Sequence, residues 1–219
     1  MWRLASICLT LASPARACEL ALLLAVDVSG SVDADEYRIQ MDGVAHALRD
    51  GIVADALIAQ NAQVSLVQWT GASRQRQTVP WTAIQTYQDV LTLADRIEGD
   101  ARVWRNYSTA IGEALAVSRV SFAPVAHCQR KVIDVSGDGV SNEGVEPATQ
   151  RKVLTQDNIT VNAIAIETDD TDLTAYFFEN VITGPGAFVV TAQGFEDYPE
   201  QIKRKLQRET TKQVTYSAQ

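Results

Sequence analysis

Residues 20–37 read LALLLAVDVSGSVDADEY, and this stretch decides how the rest of the chain is interpreted. Seven apolar residues, 20–26, end at Asp27, and side-chain oxygens then occupy alternate positions at Asp27, Ser29 and Ser31. A continuous apolar run is typical of a strand in a parallel sheet that is covered on both faces. Turn residues are expected after such a strand, but three oxygens spaced by two can face one point. The stretch therefore predicts a central strand that ends in a candidate binding site.

Strand-like and helix-like segments alternate along the remaining sequence. Apolar spacing predicts a first helix that starts near Asp33, with Tyr37, Met41, Val44 and Leu48 on one face. Further helices are predicted at 89–97, 109–122, 147–156, 173–181 and 195–209, and strands at 20–26, 64–69, 77–81, 131–136, 160–166 and 187–191. This order predicts a doubly wound α/β fold with a mostly parallel six-stranded sheet and helices on both faces.

One pair of strands departs from the parallel pattern. No helix is predicted between segments 64–69 and 77–81, and a short loop allows only antiparallel pairing. We therefore expect one antiparallel edge strand. In open α/β sheets, ligands bind beyond the carboxyl ends of the strands, so the polar residues that follow strands 1 and 4 are the place to look for a site.

Oxygen-bearing side chains stand at three such places. Asp27, Ser29 and Ser31 follow the first strand, Asp138 follows the fourth in VIDVSGDG, and Thr109 precedes a helix in TAIGEAL. Hydroxyls and carboxylates without thiol or imidazole suit a hard divalent cation, and Mg²⁺ takes few carboxylates and keeps waters. An ion held largely by hydroxyls keeps positive charge that a carboxylate from outside could balance.

These motifs resemble the von Willebrand factor A (vWA) domain. The pattern Asp27-x-Ser29-x-Ser31, the threonine segment with Thr109 and the closing Asp138 resemble its metal-ion-dependent adhesion site (MIDAS). The resemblance covers residues 18–219 and includes the order of strands and helices. The segments DVSGSV, VQW, VPW and VIDVSGDG further resemble a bacterial group of secreted single-domain proteins of unassigned function.

The resemblance implies a role for each residue. Ser29, Ser31 and Thr109 would ligate the ion directly, and Asp27 and Asp138 would act largely through water. A remaining position would accept an acidic group of a partner. Two other positions depart from the family pattern: Ile111 replaces a frequent second Thr or Ser, and Gly137 replaces a Thr before Asp138. Mg²⁺ is the expected ion, with Mn²⁺ or Ca²⁺ as alternatives.

Asp134 is unusual because it interrupts a predicted central strand. A buried carboxylate must be paired or hydrogen-bonded. One interpretation is local: backbone amides or an arginine satisfy Asp134, and it fixes the site loops. The other places it in a second shell behind the metal ion.

Other chemistries fit the sequence less well. Ser29 lacks the G-x-S-x-G pattern of a hydrolase elbow, and GDGVSNEG departs from the dinucleotide-binding pattern. The segment that starts at Asp134 mimics an EF-hand loop, but Val145 stands where that loop needs Glu. Trp69 and Trp81 are interpreted as buried under helices, whereas Trp104 and Tyr107 precede Thr109 and could rim the metal site.

The N-terminal residues are expected to be a targeting segment rather than part of the fold. A short positive start, the apolar stretch 4–12 and the Ala15-Arg16-Ala17 signal predict a secretory signal peptide at 1–17 and one vWA-like domain at 18–219. The alternatives are an untargeted cytosolic N-terminus and a lipid anchor at Cys18. No other apolar run approaches the about 20 residues that a transmembrane helix needs.

Two cysteines follow the predicted cleavage site, an even number in an oxidising compartment. Cys18 lies nine residues before Asp27, and Cys128 lies ten before Asp138. If strands 1 and 4 are parallel neighbours, both cysteines lie at the opposite edge of the sheet within disulfide reach. We therefore predict a Cys18–Cys128 bridge.

Together these observations predict a periplasmic or secreted binding module rather than an enzyme. It would hold a Mg²⁺-type ion and bind an acidic group of an unidentified protein or cell-surface partner. The formal net charge of −8 argues against nucleic acid as the partner. A metal-assisted hydrolase and a metal-free structural interaction domain are the alternatives.

Overall fold

A computed structural model describes residues 17–168 and 172–211 of the 219-residue chain. The predicted signal peptide at 1–17 falls almost entirely outside the described residues, and it stays a prediction. The strands are β1 (Leu20–Asp27), β2 (Gln63–Trp69), β3 (Gln75–Ala83), β4 (Arg130–Gly137), β5 (Ile159–Ile166) and β6 (Val189–Ala192). They form one sheet in the order β3-β2-β1-β4-β5-β6.

The pairing confirms the predicted fold class. Strand β1 pairs in parallel with β2 and β4, and β4–β5 and β5–β6 are also parallel. Strand β3 pairs antiparallel with β2 at one edge. The register of β2 and β3 shifts on both sides of Leu66, and Pro80 lies within β3. The short β6, with four residues, forms the other edge.

Helices cover both faces of this sheet, as the continuous apolar strands require. They are α1 (Ala34–Arg49), α2 (Gly51–Ala59), α3 (Tyr87–Glu98), α4 (Ile111–Ser121), α5 (Pro147–Gln156), α6 (Leu173–Asn180) and α7 (Tyr198–Thr210), with a 3-10 turn at Ala123–Val125. Helices α1, α2, α3 and α7 pack on one face with Leu22 and Leu24. Helices α4, α5 and α6 pack on the other face with Leu23 and Trp69. The side chains of successive β1 residues therefore belong alternately to two hydrophobic cores, one on each face of the sheet.

Helix α2 has no counterpart among the predicted elements. Asp50 explains both the end of α1 and the start of α2. Its ψ of 134° breaks the helical path, and its carboxylate then accepts hydrogen bonds from the amides of Ile52 and Val53. One N-cap residue therefore divides what would otherwise be a single long helix.

The predicted disulfide is confirmed. Cys18 and Cys128 are bonded, with 4.7 Å between their Cα atoms. The parallel register places Leu20 opposite Arg130, two residues beyond each cysteine. The bridge lies at the amino ends of β1 and β4, and Asp27 lies at the other end of β1.

Trp69 and Trp81, which were both predicted to be buried, differ in how far they are buried. Trp69 is fully buried, as expected. Trp81 is half-buried against Phe122, and its indole N–H donates to the carbonyl of Ser121 at 2.7 Å. Within 17–168 and 172–211, none of the helices is both long and apolar enough to cross a membrane.

Candidate metal centre

Three chain segments bring the predicted ligands to one edge of the sheet. Asp27 is the last residue of β1, and Asp138 follows the last residue of the neighbouring β4. Thr109 lies just before α4. Thr109, Ser31 and Asp138 line one pocket of about 260 Å³ at this edge. The carboxyl ends of β1 and β4 therefore converge where the sequence pattern predicts a site.

Asp27 is fully buried, with no exposed surface. Its Oδ1 accepts a hydrogen bond from the amide of Ser29 at 2.7 Å, but its Oδ2 has no hydrogen-bond partner. Burial raises the pKa of Asp27 to about 8, and the negative charge of Asp138 acts in the same direction. A buried carboxylate oxygen without a partner is costly.

The hydroxyls connect the two carboxylates. Ser29 Oγ and Ser31 Oγ lie 3.2 Å apart, and Ser31 Oγ donates to Asp138 Oδ1 at 2.7 Å. Ser29 is fully buried, whereas Ser31 is exposed. The oxygens thus run from the buried end of β1 toward the surface.

The loop after β4 holds Thr109 in place. The amide of Thr109 donates to Asn142 Oδ1 at 2.9 Å, and the carbonyl of Thr109 accepts from the Asn142 amide at 2.9 Å. Ser141 Oγ accepts from the amide of Ile111, the first residue of α4. The loop that carries Asp138 therefore also fixes the threonine segment, although Asp138 and Thr109 are distant in sequence.

Two glycines allow this close approach. A Cβ at Gly30 would lie 3.2 Å from the carbonyl oxygen of Tyr107, which accepts a hydrogen bond from the Gly30 amide at 2.7 Å. A Cβ at Gly137 would lie 3.2 Å from Asp27 Oδ2. Gly137 therefore leaves space beside the unpartnered oxygen.

Segment 101–108 forms one side of the site. Arg102 donates to the carbonyls of Val28 at 3.0 Å and Ser29 at 2.9 Å, and so orients the loop that carries the serines. Tyr107 is 41% exposed and stacks under the guanidinium of Arg74. The placement of Tyr107 at the rim of the metal site stays a prediction, and Trp104 packs partly against the hydrophobic core.

Sequence reasoning missed several supporting residues. Gln40 is fully buried on α1 and donates to the carbonyl of Asp27 at 3.3 Å. Its signal was visible, because it is a polar residue on the apolar face between Tyr37 and Met41. Arg102 and Asn142 gave no such signal, since their partners are backbone groups and loop residues.

The structure places Asp134 apart from the five predicted ligands. Asp134 lies opposite Leu24 in the sheet, only 3% exposed, and forms an ion pair with Lys205 Nζ. Lys205 is fully buried on α7 and also pairs with Glu209 at 2.7 Å. The expected backbone or arginine partner of Asp134 is therefore wrong, and its second-shell role stays a prediction.

The residues at this edge fit a hard divalent cation. Every candidate ligand atom is an oxygen, which suits Mg²⁺, Mn²⁺ or Ca²⁺. A cation beside Asp27 Oδ2 would give that buried oxygen the partner that the described residues do not provide. Glu167 lines the same pocket and adds a carboxylate that the sequence did not single out.

The sequence of residues 17–214 matches a protein family described as "Protein of unknown function (DUF1194)". The chain belongs to this family. No curated protein matches the chain significantly.

Solved structures similar to this DUF1194 member include one that is described as von Willebrand factor type A. Proximal thread matrix protein 1 from the mussel byssus has a TM-score of 0.66 at 21% identity, over 87% of this chain and 47% of that chain. A von Willebrand factor type A protein from Catenulispora acidiphila has a TM-score of 0.60 at 17% identity, over 90% and 44%. BatB from Bacteroides thetaiotaomicron has a TM-score of 0.53 at 17% identity, over 86% and 98%.

These similarities establish the vWA-like fold of the DUF1194 member. The chain spans about half the length of the mussel protein, 47%. A second structure of the mussel protein is described as having a zinc-occupied MIDAS motif, with a TM-score of 0.63 at 17% identity, over 89% of this chain and 46% of that chain.

Proposed function

We propose that this protein is a metal-dependent, adhesion-type binding module. The ion is held at Asp27, Ser29, Ser31, Thr109 and Asp138, and a carboxylate of a partner completes its coordination. The observation that carries this proposal is the fully buried Asp27 Oδ2, which lacks a hydrogen-bond partner among the described residues. The zinc-occupied MIDAS of a protein with the same fold supports it.

The composition of the site favours Mg²⁺. Three hydroxyls bring no negative charge, and the two carboxylates are proposed to act largely through water. Mg²⁺ commonly keeps several waters in such sites. Those waters are the positions that an incoming carboxylate replaces. Mn²⁺ and Ca²⁺ share the preference for oxygen.

Binding is proposed rather than hydrolysis because neither histidine, the residue type that most often acts as a general base, lies at the site. A general base must reach the reacting group directly or through one water. His127 is exposed beside the disulfide at the opposite edge of the sheet, and His46 lies in the last turn of α1. Neither histidine is among the residues that line the metal pocket.

The expected location is the periplasm or the extracellular space. The Cys18–Cys128 disulfide supports this, because disulfides persist in oxidising compartments. The partner is a protein or cell-surface ligand that offers an acidic group.

Calorimetry tests the metal site. Titration of wild type with Mg²⁺, Mn²⁺, Ca²⁺ and Zn²⁺ should show one site, and Asp27→Ala should abolish it. Asp55→Ala is the matched control, because Asp55 is an exposed acid on α2. Unchanged Mg²⁺ binding by a folded Asp27→Ala variant would refute the assignment.

A pull-down from the native cell envelope tests the partner. Immobilised wild type should retain a partner with Mg²⁺ and release it with EDTA, and immobilised Asp27→Ala should retain none. Retention that is equal with EDTA and with Mg²⁺ would contradict metal-dependent adhesion. Turnover of a captured ligand would favour the hydrolase alternative.

A further inference from the structure

A second pocket lies at the amino ends of β4 and β5, at the opposite end of the strands from the candidate metal centre. It has a volume of about 340 Å³ and is lined by the first residues of β4 and β5, segment 185–188 and the end of α7. Two arginines, Arg130 and Arg208, line it together with Thr160, Asn162 and Phe188. The volume lies at the small end of the range for ligand sites.

Arg208 is held in position without using its hydrogen-bond donors. Its Cζ lies 3.7 Å from the centroid of the Phe188 ring, a stacked arrangement. Among the described residues, no side chain or carbonyl accepts a hydrogen bond from this guanidinium, and no carboxylate pairs with it. Stacking therefore orients five N–H donors and leaves them available.

Arg130 is half-buried in the same pocket, and its partners are neutral. Its Nη2 donates to the carbonyl of Glu209 at 2.8 Å and to Gln60 Oε1 at 3.2 Å. Burial lowers the pKa of Arg130, and the nearby Glu209 compensates only in part. In the described part of the chain, no carboxylate lies within ion-pair distance of Arg130, so its charge lacks a direct counterion.

The nearby acidic groups are already engaged by a third cation. Lys205 is fully buried and pairs with both Asp134 and Glu209. Counting Arg130 and Arg208, three basic side chains stand against two acidic side chains, although the whole chain carries a net charge of −8. The local excess of positive charge favours an anion.

The walls of the pocket are fixed before any ligand arrives. Asn162 is buried, donates to Glu209 Oε1 at 2.8 Å and accepts from the amide of Phe188 at 3.1 Å. Gly184 has a φ of +98°, and a Cβ there would lie 2.9 Å from the Cα of Thr160. Gly184 therefore allows the chain before Pro185 to approach β5 closely. The hydrogen bond from the Phe188 amide to Asn162 fixes the position of Phe188, on which Arg208 stacks.

We propose that this pocket binds a small oxyanion, a carboxylate or phosphate group, between Arg130 and Arg208. Guanidinium groups bind carboxylate and phosphate in a two-pronged geometry, and two of them can share one anion. The site lies at the opposite edge of the sheet from Asp27, so it does not depend on the proposed metal-dependent function.

Calorimetry with inorganic phosphate tests this proposal, and it is carried out in EDTA so that no divalent ion contributes. Wild type should bind one phosphate, and Arg208→Gln should weaken the affinity at least tenfold. Phe188→Leu, which removes the stacking ring, should weaken it severalfold. Arg204→Gln is the matched control, because Arg204 is an exposed arginine on the same helix, paired with Glu200. Succinate in a parallel titration separates a carboxylate ligand from a phosphate ligand.

Two results would overturn the proposal. One is the absence of binding by wild type with both phosphate and succinate. The other is equal affinity in wild type and a folded Arg208→Gln variant. Asp27→Ala should bind phosphate as wild type does, so a failure of the metal site and a failure of the anion site are distinguishable.

Discussion

Gly137 controls the space around the unpartnered oxygen of Asp27. An added methyl group would lie 3.2 Å from Asp27 Oδ2 and 3.5 Å from ring atoms of Trp69 and Phe177. Gly137→Ala should therefore displace the carboxylate and weaken Mg²⁺ affinity by about 10-fold, the lower end of the effect of altering residues that support metal ligands. Calorimetry measures the change.

Gly139→Ala is the matched control for this substitution. The nearest atom to its added Cβ would be Thr109 Oγ1 at 3.9 Å, an ordinary contact. We expect its Mg²⁺ affinity to match that of wild type. Equal affinities in the Gly137 and Gly139 variants would show that the space beside Asp27 is not critical.

At this scale, the sequence predicted the carboxylates and hydroxyls but not what orients them. Asp27 and Asp138 were predicted as site residues because each follows an apolar run, and the end of such a run indicates the end of a strand. Arg102 and Asn142 act on backbone groups of distant segments. Such contacts depend on the folded path of the loops, which apolar periodicity does not encode.

The contact between α4 and the loop after β4 depends on Gly112. A Cβ at Gly112 would lie 1.9 Å from the carbonyl oxygen of Val145, so the backbone would have to move. Gly112→Ala should lower the free energy of unfolding by about 1–3 kcal/mol, the range for overpacking. It should also weaken metal binding, since the same loop holds Thr109. Urea denaturation and calorimetry measure the two effects.

Gly51→Ala is a control that should change stability in the opposite direction. Gly51 is the first residue of α2, and no atom lies within 4 Å of its added Cβ. Alanine should raise the free energy of unfolding by about 0.4–1 kcal/mol, because it restricts the unfolded chain. Equal destabilisation by both variants would mean that the contact with Val145 does not cause the loss of stability in Gly112→Ala.

The end of helix α7 should make stability depend on pH. Burial raises the pKa of Glu209 from 4.5 to about 8, and the negative charge of Asp134 adds to this effect. Folded protein therefore holds a proton that unfolded protein releases above pH 4.5. The stabilising contribution is complete below that pH and is lost as the pH rises through about 8.

Glu209→Gln tests this dependence. Wild type should show a fall in Tm between about pH 4.5 and about pH 8, by about 2–4 °C for each kcal/mol lost, and the variant should show a smaller fall. Glu200→Gln on the exposed side of α7 is the control, because burial does not govern its ionisation. Parallel pH profiles for wild type and Glu209→Gln would contradict the assignment.

Among the elements, all six strands of the sheet were predicted, whereas helix α2 was not. Helix α2 was missed because apolar residues lie on several sides of it, including the exposed Ile52 and the buried Val53. Asp134 was recognised as unusual, but its partner Lys205 lies on an element far along the chain. Periodicity identifies a buried charge, whereas only the tertiary packing identifies its partner.

The disulfide acts on the molecule as a whole. It closes a loop with a sequence separation of 110 residues. Cys18→Ser with Cys128→Ser should lower the free energy of unfolding by about 2–5 kcal/mol. Mg²⁺ affinity should stay unchanged, because the bridge and Asp27 lie at opposite ends of β1. Denaturation and calorimetry measure both quantities, and a titration that finds both thiols free in unreduced protein would contradict the bridge.

The two edge strands of the sheet, β3 and β6, affect how the protein behaves at high concentration. An open strand edge invites pairing with another chain, which leads to aggregation. Here, one edge carries Pro80 and an irregular register, and the other is only four residues long. Proline and short edge strands both discourage such pairing. Many copies could therefore crowd together without joining their sheets.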